Sequence, residues 1–353
     1  MKPVPFRIEP TFSPRIWGTR SLAPLFPEKT NLAEPVGEAW LTDVQCRIAN
    51  GPFAGKTLGE AWSGIPVEWR GERCAAMRDF PLLVKFIFPT DKLSIQVHPD
   101  DAYASVHEVA AGGRGKTEMW YAVSAEPGAQ LFLGFKPGVN KQQFLNALAS
   151  SSVEDLLEAH PVHAGDTFFV PPGTPHTIGP GMILCEVQEY SDLTYRVYDY
   201  GRVDAQGKPR ELHIEQALRV MKFAASPVRP FRWKVPMDEF GAAYVYYLAA
   251  CRYFAAEKWE VDGLGAEQST NSLRFELLTI LRGSGEIRWD GGASLLVAGE
   301  TWFLPACLGK FQILSPGEES EIVRTYVPDI ADFDRMMAAK GYSREDRQKF
   351  IFS

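Results

Sequence analysis

The chain of 353 residues is 45% hydrophobic and 23% charged, a composition that supports one large globular domain or two of ordinary size with a substantial core. Its 37 Lys and Arg stand against 44 Asp and Glu, and the formal charge of −7 excludes the global basic field of a nucleic-acid binder. An anionic ligand must therefore be caught by a local cluster.

The opening MKPVPFRIEPTFSPRIWG places prolines and charges where a signal peptide has its apolar core, and no apolar run approaches a membrane span, so a cytoplasmic protein with no membrane partner is expected. Downstream, short apolar or alternating runs are separated by Gly and Pro: PLLVKFIF, KTEMWYAV, AQLFLGF, DTFFVPPG, MILCEVQEY, LLTILRGSGEIRWDG and ETWFLP. That pattern predicts an all-β sandwich or barrel with helical insertions. Helical periodicity is confined to NKQQFLNALASSSVEDLLEAH (140–160), read as an insertion between strands, to LHIEQALRVMKF (212–223), read as closing a first β unit, and to the tail from 328 to 350. The Pro-rich AASPVRPFRWKVP (224–236) reads as a linker. Cys46, Cys74, Cys185, Cys251 and Cys307 form no CxxC pair and read as free thiols.

An internal repeat sharpens the fold expectation. HAGDTFFVPPGTPH (163–176) aligns with VAGETWFLPACLGK (297–310), and TEMWYAVSAEPGA (117–129) with FELLTILRGSGEI (275–287), setting Glu276 opposite Glu118 and Lys310 opposite His176. The spacing Gly165, Pro171, Gly173, His176 matches the second signature of the cupin family, a jelly-roll barrel in which Pro171 and Gly173 turn the chain so that His176 faces the barrel mouth. Two tandem cupin barrels are expected, residues 1–225 with the short helical insert and 226–353 as a degenerate copy. In metal-binding cupins a companion segment offers ligands at i and i+2 and then a Glu. Gln96 and His98 in LSIQVHPDD, with Glu118, fill those places here. Two His, a Glu and a Gln amide oxygen suit Zn²⁺ or another borderline divalent ion. The neutral Gln leaves such an ion strongly Lewis-acidic, fit to polarise a carbonyl or stabilise an enediolate.

The chain as a whole resembles type I phosphomannose isomerases. RIWG, GEAW, PLLVKF, LSIQVHPDD, GKTEMWYA, VPPGTPHTIG and SDLTYRVYDYGR stand in that family's order. The resemblance implies zinc held by Gln96, His98, Glu118 and His176, and interconversion of mannose 6-phosphate with fructose 6-phosphate. Pro180 replaces the Asn that ends the general cupin signature, and the large helical domain of longer members is reduced to residues 140–160, which suggests the short bacterial branch.

Moving a proton between C1 and C2 of an opened sugar requires a base, an electrophile and a phosphate anchor. Lys116, two residues before Glu118, is the proton-transfer candidate. Arg196 is the leading cation for the substrate's charge and Arg202 a second. Asp192 is placed for ring opening, and Lys85 for the phosphate or a hydroxyl; the family implicates Lys85, Lys116, Asp192 and Arg196 together. The remaining histidines, His107, His160, His163 and His213, have no ligand-spaced partners, and both GEAW copies (37–40 and 59–62) read as packing. The second β unit offers no Gln-x-His and is expected to hold no metal, packing against the first and walling one side of the cleft. A cupin-type glucose 6-phosphate isomerase and a non-catalytic sugar-phosphate sensor are the competing readings. Nothing in the sequence sets the oligomeric state.

Overall fold

A computed structural model describes residues 1–203, 207–223, 235–236, 243–265 and 267–352. The boundary expected at 225/226 and all but Val235 and Pro236 of the linker lie outside the described residues. No described helix is long and apolar enough to cross a membrane.

Among the described residues twelve strands precede the linker: β1 (Phe6–Ile8), β2 (Thr11–Thr19), β3 (Val36–Trp40), β4 (Leu82–Ile87), β5 (Ile95–Val97), β6 (Glu118–Ala125), β7 (Gln130–Phe135), β8 (Leu157–Pro161), β9 (Thr167–Val170), β10 (His176–Ile178), β11 (Met182–Glu189) and β12 (Tyr195–Tyr198). β13 (Val235–Pro236) falls at the end of the linker, and those after it are β14 (Ala243–Ala250), β15 (Ala255–Gly263), β16 (Glu267–Ser269), β17 (Glu276–Arg282), β18 (Ser284–Trp289), β19 (Gly292–Val297), β20 (Thr301–Leu304) and β21 (Lys310–Tyr326). Helices α1 (Leu58–Trp62), α2 (Val67–Arg70), α3 (Asp101–His107), α4 (Lys141–Ala149), α5 (Ile214–Val220), α6 (Ile330–Ala339) and α7 (Arg344–Arg347) connect and flank them.

A six-stranded sheet in the order β2-β3-β4-β11-β6-β9 and a five-stranded sheet in the order β12-β5-β10-β7-β8 enclose a core of Trp17, Ile87, Trp120, Leu131, Leu133, Phe168 and Leu184. The central strands β4 and β11 and the first half of β6 are buried on both faces, whereas β2 at the edge is partly exposed. Alternation along β4 sends Leu82, Val84 and Phe86 outward into a second core with Phe254, Leu277 and Phe303, while Lys85 and Ile87 point into the sandwich. The same period turns Met119 and Tyr121 outward and puts Trp120 inside on β6, with Cys185 and Val187 outward on β11. Glu118 and Glu186 share the inward parity. Lys85, Glu118 and Glu186 are thus buried because their strands are covered on both sides.

The third sheet, through β1-β20-β17-β21-β15-β14-β13, repeats the first in register. Glu118 opposes Val170 and Trp120 opposes Glu186; correspondingly Glu276 opposes Leu304 and Leu278 opposes Arg324. The turn hydrogen bond from Gly165 N to the Ala122 carbonyl recurs from Gly299 N to the Ile280 carbonyl, and both glycines take φ near +88°, the left-handed region that favours glycine. The aligned pair His176 and Lys310 does not superpose in role: His176 is buried, whereas Lys310 is exposed and pairs with Glu267.

The halves are interlocked. β1 joins the third sheet beside β20, and Phe352 stacks on Phe169 at 3.8 Å. The helix expected over 140–160 ends at Ala149, because Ser151 takes φ +56° and Leu157–Pro161 becomes β8, paired with β7. All five cysteines are free and four are buried, as their scatter implied.

Candidate metal centre and active-site cleft

β5 is the strand that assembles the centre. Gln96 opposes His176 of β10 on one side and Arg196 of β12 on the other, so a candidate ligand pair and a cation share one register. His98 follows β5 immediately, before Pro99. Gly173, at φ +83°, makes the turn into β10 and donates its N–H to the His98 carbonyl at 2.8 Å. A Cβ there would lie 2.7 Å from the Val220 carbonyl oxygen, so only glycine fits without displacement.

His98, Glu118 and His176 are buried to 1%, 0% and 0% exposure, and their ligand atoms lie within 4.8 Å of one another. No other group of three or more His, Cys, Asp or Glu side chains among the described residues is placed to hold a metal ion. The Nδ1–H of His98 donates to the Leu193 carbonyl (2.8 Å) and that of His176 to the Thr174 carbonyl (2.9 Å), which leaves both Nε2 lone pairs directed inward. They lie 3.6 and 3.3 Å from Oε1 of Glu118. His98 Nε2 and Glu118 Oε1 have no hydrogen-bond partner despite full burial. Orphaned acceptors converging in a dry site are costly unless a cation satisfies them, so the donor set fits a divalent metal.

Electrostatics agree. Burial pushes the His176 pKa down to about 3 and that of His98 down as well, so both imidazoles are neutral and available as ligands. Burial alone would raise the Glu118 carboxyl, but Lys116 and the two histidines hold it well below the usual carboxylate range. The Gln96 amide donates from Nε2 to His176 Nε2 at 3.3 Å; to serve as a ligand it turns over to present Oε1.

Lys116 Nζ lies 2.9 Å from Oε2 of Glu118. Burial presses its pKa down, but Glu118, Glu186 and Asp192 together lift it above the ordinary lysine value, so Lys116 rests as an ammonium. Lys85 Nζ sits between Asp192 (3.3 Å) and Glu186 (3.7 Å), over the Trp40 ring at 4.3 Å. Burial, above all, raises Glu186, whose Oε2 accepts Trp120 Nε1–H at 3.0 Å. Lys85 and Lys116 hold Asp192 below its usual value against burial.

Beside the cluster, at Gln96 and Lys116, opens a cleft of about 520 Å³, ample for a sugar phosphate. Gln96, Lys85, Lys116, Asp192 and Arg196 all face it, together with Arg15, Glu38, Glu186 and Arg210. Arg196 bonds neutral acceptors, Ser94 Oγ at 3.3 Å and the Glu211 carbonyl at 2.9 Å. Burial and then the neighbouring Arg210, Arg15 and Arg202 lower its pKa, the signature of a crowded positive cluster suited to an anion.

Arg202 does not join the cleft. Its guanidinium is committed to Asp199 at 2.6 Å and Asp91 at 3.3 Å, and Arg210, bound to the same Asp199, lines the cleft in its place. The first GEAW copy is more than packing: Glu38 lines the cleft, pairs with Arg15 at 2.6 Å and accepts Trp40 Nε1–H at 3.0 Å. The second copy, inside α1, does pack, with Trp62 1% exposed. Among the described residues the cleft lining runs from Pro14 to Arg210, so the third sheet does not wall it.

That sheet also carries the converse of the centre. Glu257 opposes Arg324 as Lys85 opposes Glu186, and the Arg324 guanidinium bonds both Glu257 and Glu276. A fixed cation therefore stands beside the glutamate that corresponds to Glu118.

Comparison with known proteins places this geometry in a family. Residues 5–131 match the phosphomannose isomerase type I catalytic domain, and residues 245–327 the mannose-6-phosphate isomerase cupin domain. A probable mannose-6-phosphate isomerase of Bacillus subtilis is 37% identical over 316 residues, 88% of this chain and 96% of the relative. The chain belongs to the type I phosphomannose isomerase family. A mannose-6-phosphate isomerase of Streptococcus mutans is 33% identical over 312 residues, 87% of this chain and 94% of that one. The crystal structure of the Bacillus subtilis mannose 6-phosphate isomerase superposes with a TM-score of 0.81 at 30% identity, covering 91% of this chain and 99% of the other. A putative mannosephosphate isomerase from Archaeoglobus fulgidus, at 21% identity and a TM-score of 0.72 over 93% of this chain and 99% of that one, shares the fold. The mostly β architecture is the cupin-type sandwich of this family.

Proposed function

We propose that the protein is a mannose-6-phosphate isomerase, interconverting mannose 6-phosphate and fructose 6-phosphate through an enediol or enediolate. The observation that carries this reading is a buried His–Glu–His cluster with orphaned His98 and Glu118 acceptors, set beside a cleft that is lined by Gln96, bonded to His176, by a buried lysine 2.9 Å from Glu118 and by a group of guanidiniums around Arg196. We assign the cluster to Zn²⁺, with Gln96, His98, Glu118 and His176 as ligands, since imidazole, carboxylate and amide donors suit that ion. Bound there, the metal supplies a Lewis acid for the oxygens on C1 and C2 of the opened sugar.

The protein's own groups do the rest. Arg15, Arg196 and Arg210 attract and hold the phosphate, the charge-assisted contact a dianion favours. Asp192, kept ionised, accepts the anomeric hydroxyl proton as the C1–O5 bond breaks and returns a proton to the ring oxygen. Lys85 donates a hydrogen bond to a sugar hydroxyl from the cleft floor. Lys116 Nζ handles the proton that moves between C2 and C1: beside Glu118 it is held as a donor, and when Glu118 is engaged elsewhere the strongest influence keeping the proton on it is gone. The repeated registers of β6, β9 and β11 in β17, β20 and β21 support the further reading of two tandem cupin barrels, 1–225 catalytic and 226–353 degenerate.

A coupled assay that follows fructose 6-phosphate formation from mannose 6-phosphate, run beside glucose 6-phosphate, tests the function. Turnover selective for the mannose compound is expected. Turnover of glucose 6-phosphate alone, or of neither by metal-loaded folded protein, contradicts it.

A further inference from the structure

Lys116 is not on a regular strand; it ends an irregular stretch that runs into β6, and four separate anchors hold that stretch. Gly115 N–H donates to Asp101 Oδ1 (2.9 Å), Lys116 N–H to the Pro99 carbonyl (3.0 Å) and Thr117 N–H to Glu189 Oε1 (2.7 Å), while Ser191 Oγ–H donates to the Arg114 carbonyl (3.3 Å). A Cβ on Gly115 would lie 2.6 Å from the Asp100 backbone, so the chain is pressed against the start of α3. Two of the four acceptors are side-chain carboxyls, Asp101 and Glu189, neighbours close enough that, after burial, Asp101 is the next cause of the raised Glu189 pKa.

The far side of Asp101 is held from the other half of the molecule. Tyr253 OH donates to Asp101 Oδ2 at 2.5 Å and Arg252 Nη2 reaches the same oxygen at 2.6 Å, both from the turn between β14 and β15. Asp101, Arg114, Glu189, Arg252 and Tyr253 surround a cavity of about 590 Å³ between that turn and the loop. The third sheet contributes nothing to the cleft lining among the described residues, yet it reaches the segment that carries Lys116 and Glu118 through two carboxyls.

We infer that Tyr253 is a positioning residue for the isomerase reaction: through Asp101 and Glu189 it fixes the 113–118 segment and thereby the placement of Lys116 against Glu118. This rests on the isomerase reading above. A hydroxyl removed at this distance alters no contact with substrate. It loosens the register of the proton-transferring group, where a displacement of about 1 Å costs on the order of a hundredfold in rate.

The test is a kinetic cycle on the metal-loaded full chain with Tyr253→Phe, Glu189→Ala and the double variant, read below the melting transition of each and normalised to folded protein. Tyr246→Phe removes a comparable hydroxyl, one bonded to Glu260 on the same sheet away from the loop, and serves as control. Tyr253→Phe is expected to lower kcat about tenfold with KM for mannose 6-phosphate within about twofold, a fraction of the full misplacement cost. Tyr246→Phe should match the wild type, and the double variant should be no slower than Glu189→Ala alone, because both losses act through one relay. Glu189→Gln, which keeps an acceptor for Thr117, should recover most of the rate lost in Glu189→Ala. Wild-type kcat in Tyr253→Phe, multiplying losses in the double variant, or equal loss in the two Glu189 variants would each overturn the inference. An inactive wild type would instead remove the isomerase reading beneath it.

Discussion

Lys116→Met removes the ammonium beside Glu118 while keeping an unbranched side chain in its place. The pair is 5% and 0% exposed with 2.9 Å between Nζ and Oε2. At that distance Coulomb's law gives about 6 kcal/mol with an effective dielectric constant of about 20. Breaking one partner of a buried pair costs about 3–5 kcal/mol net. With an unfolding entropy of about 2.1 cal/mol/K per residue and the whole chain unfolding in one transition, the chelated variant should melt about 4–7 °C below the chelated wild type. The metal reverses the comparison, since the same ammonium repels any cation that Glu118 holds. Lys116→Met should therefore bind zinc more tightly than wild type and gain more melting temperature on loading, although its turnover falls at least about a hundredfold. Calorimetry of chelated and reloaded protein, with a zinc titration, reads both effects. A chelated variant that melts with the wild type, or one that binds zinc more weakly, would refute the assignment of Lys116 as the counter-charge of Glu118.

Burial and then Asp101 raise Glu189 from 4.5 to about 8, so the folded chain holds a proton that the unfolded chain releases above 4.5. This contribution to stability is complete below pH 4.5 and is lost as pH climbs to 8; the melting advantage of Glu189→Gln over wild type should grow between pH 5 and 8.5, and a constant difference would contradict it. Arg15→Ala or Arg210→Ala should raise KM for mannose 6-phosphate about 10- to 100-fold, the loss of a charge-assisted hydrogen bond, whereas Arg202→Ala should leave KM within about twofold and lower the melting temperature. Equal KM effects at all three would show that the cleft lining does not define the phosphate anchor. Gly173→Ala should cost about 1–3 kcal/mol of stability through its φ of +83° and the Val220 carbonyl, and weaken metal binding by displacing His98. Unchanged melting and zinc affinity would show that the turn tolerates a side chain.

The candidate ligands were legible because the cupin spacing ties residues far apart in the chain to one barrel mouth, and the internal repeat survives as strand register down to the bond from Gly165 to Ala122 and its copy from Gly299 to Ile280. The Gln96–His98 pair was readable as two residues facing one way at i and i+2, but only in the company of Glu118 and His176 did it point to a metal. Charge partners were not readable. Arg202 and Arg210 are equally plausible in sequence, and only the fold shows that Asp199 and Asp91 hold Arg202 outside the cleft while Arg210 lines it. Glu38 stands in a motif that reads as packing and Arg15 in RIWG, to which no role was assigned, until β2 and β3 bring them together at the cleft. Glu186 had one usable signal, a carboxylate within the apolar run MILCEV on a strand covered on both faces. The overrun of the 140–160 helix has a local cause: Leu157 suits either period, and pairing of β8 with β7 decides for the strand.

Metal content and turnover measured on one preparation, chelated and then titrated with zinc, test the central claim most directly. Isomerase activity that vanishes on chelation and returns in proportion to a single ion per chain is predicted, with no ion taken up by a His176→Ala variant. Full turnover by metal-free protein, or a second ion required for activity, would contradict a catalytic centre built from Gln96, His98, Glu118 and His176.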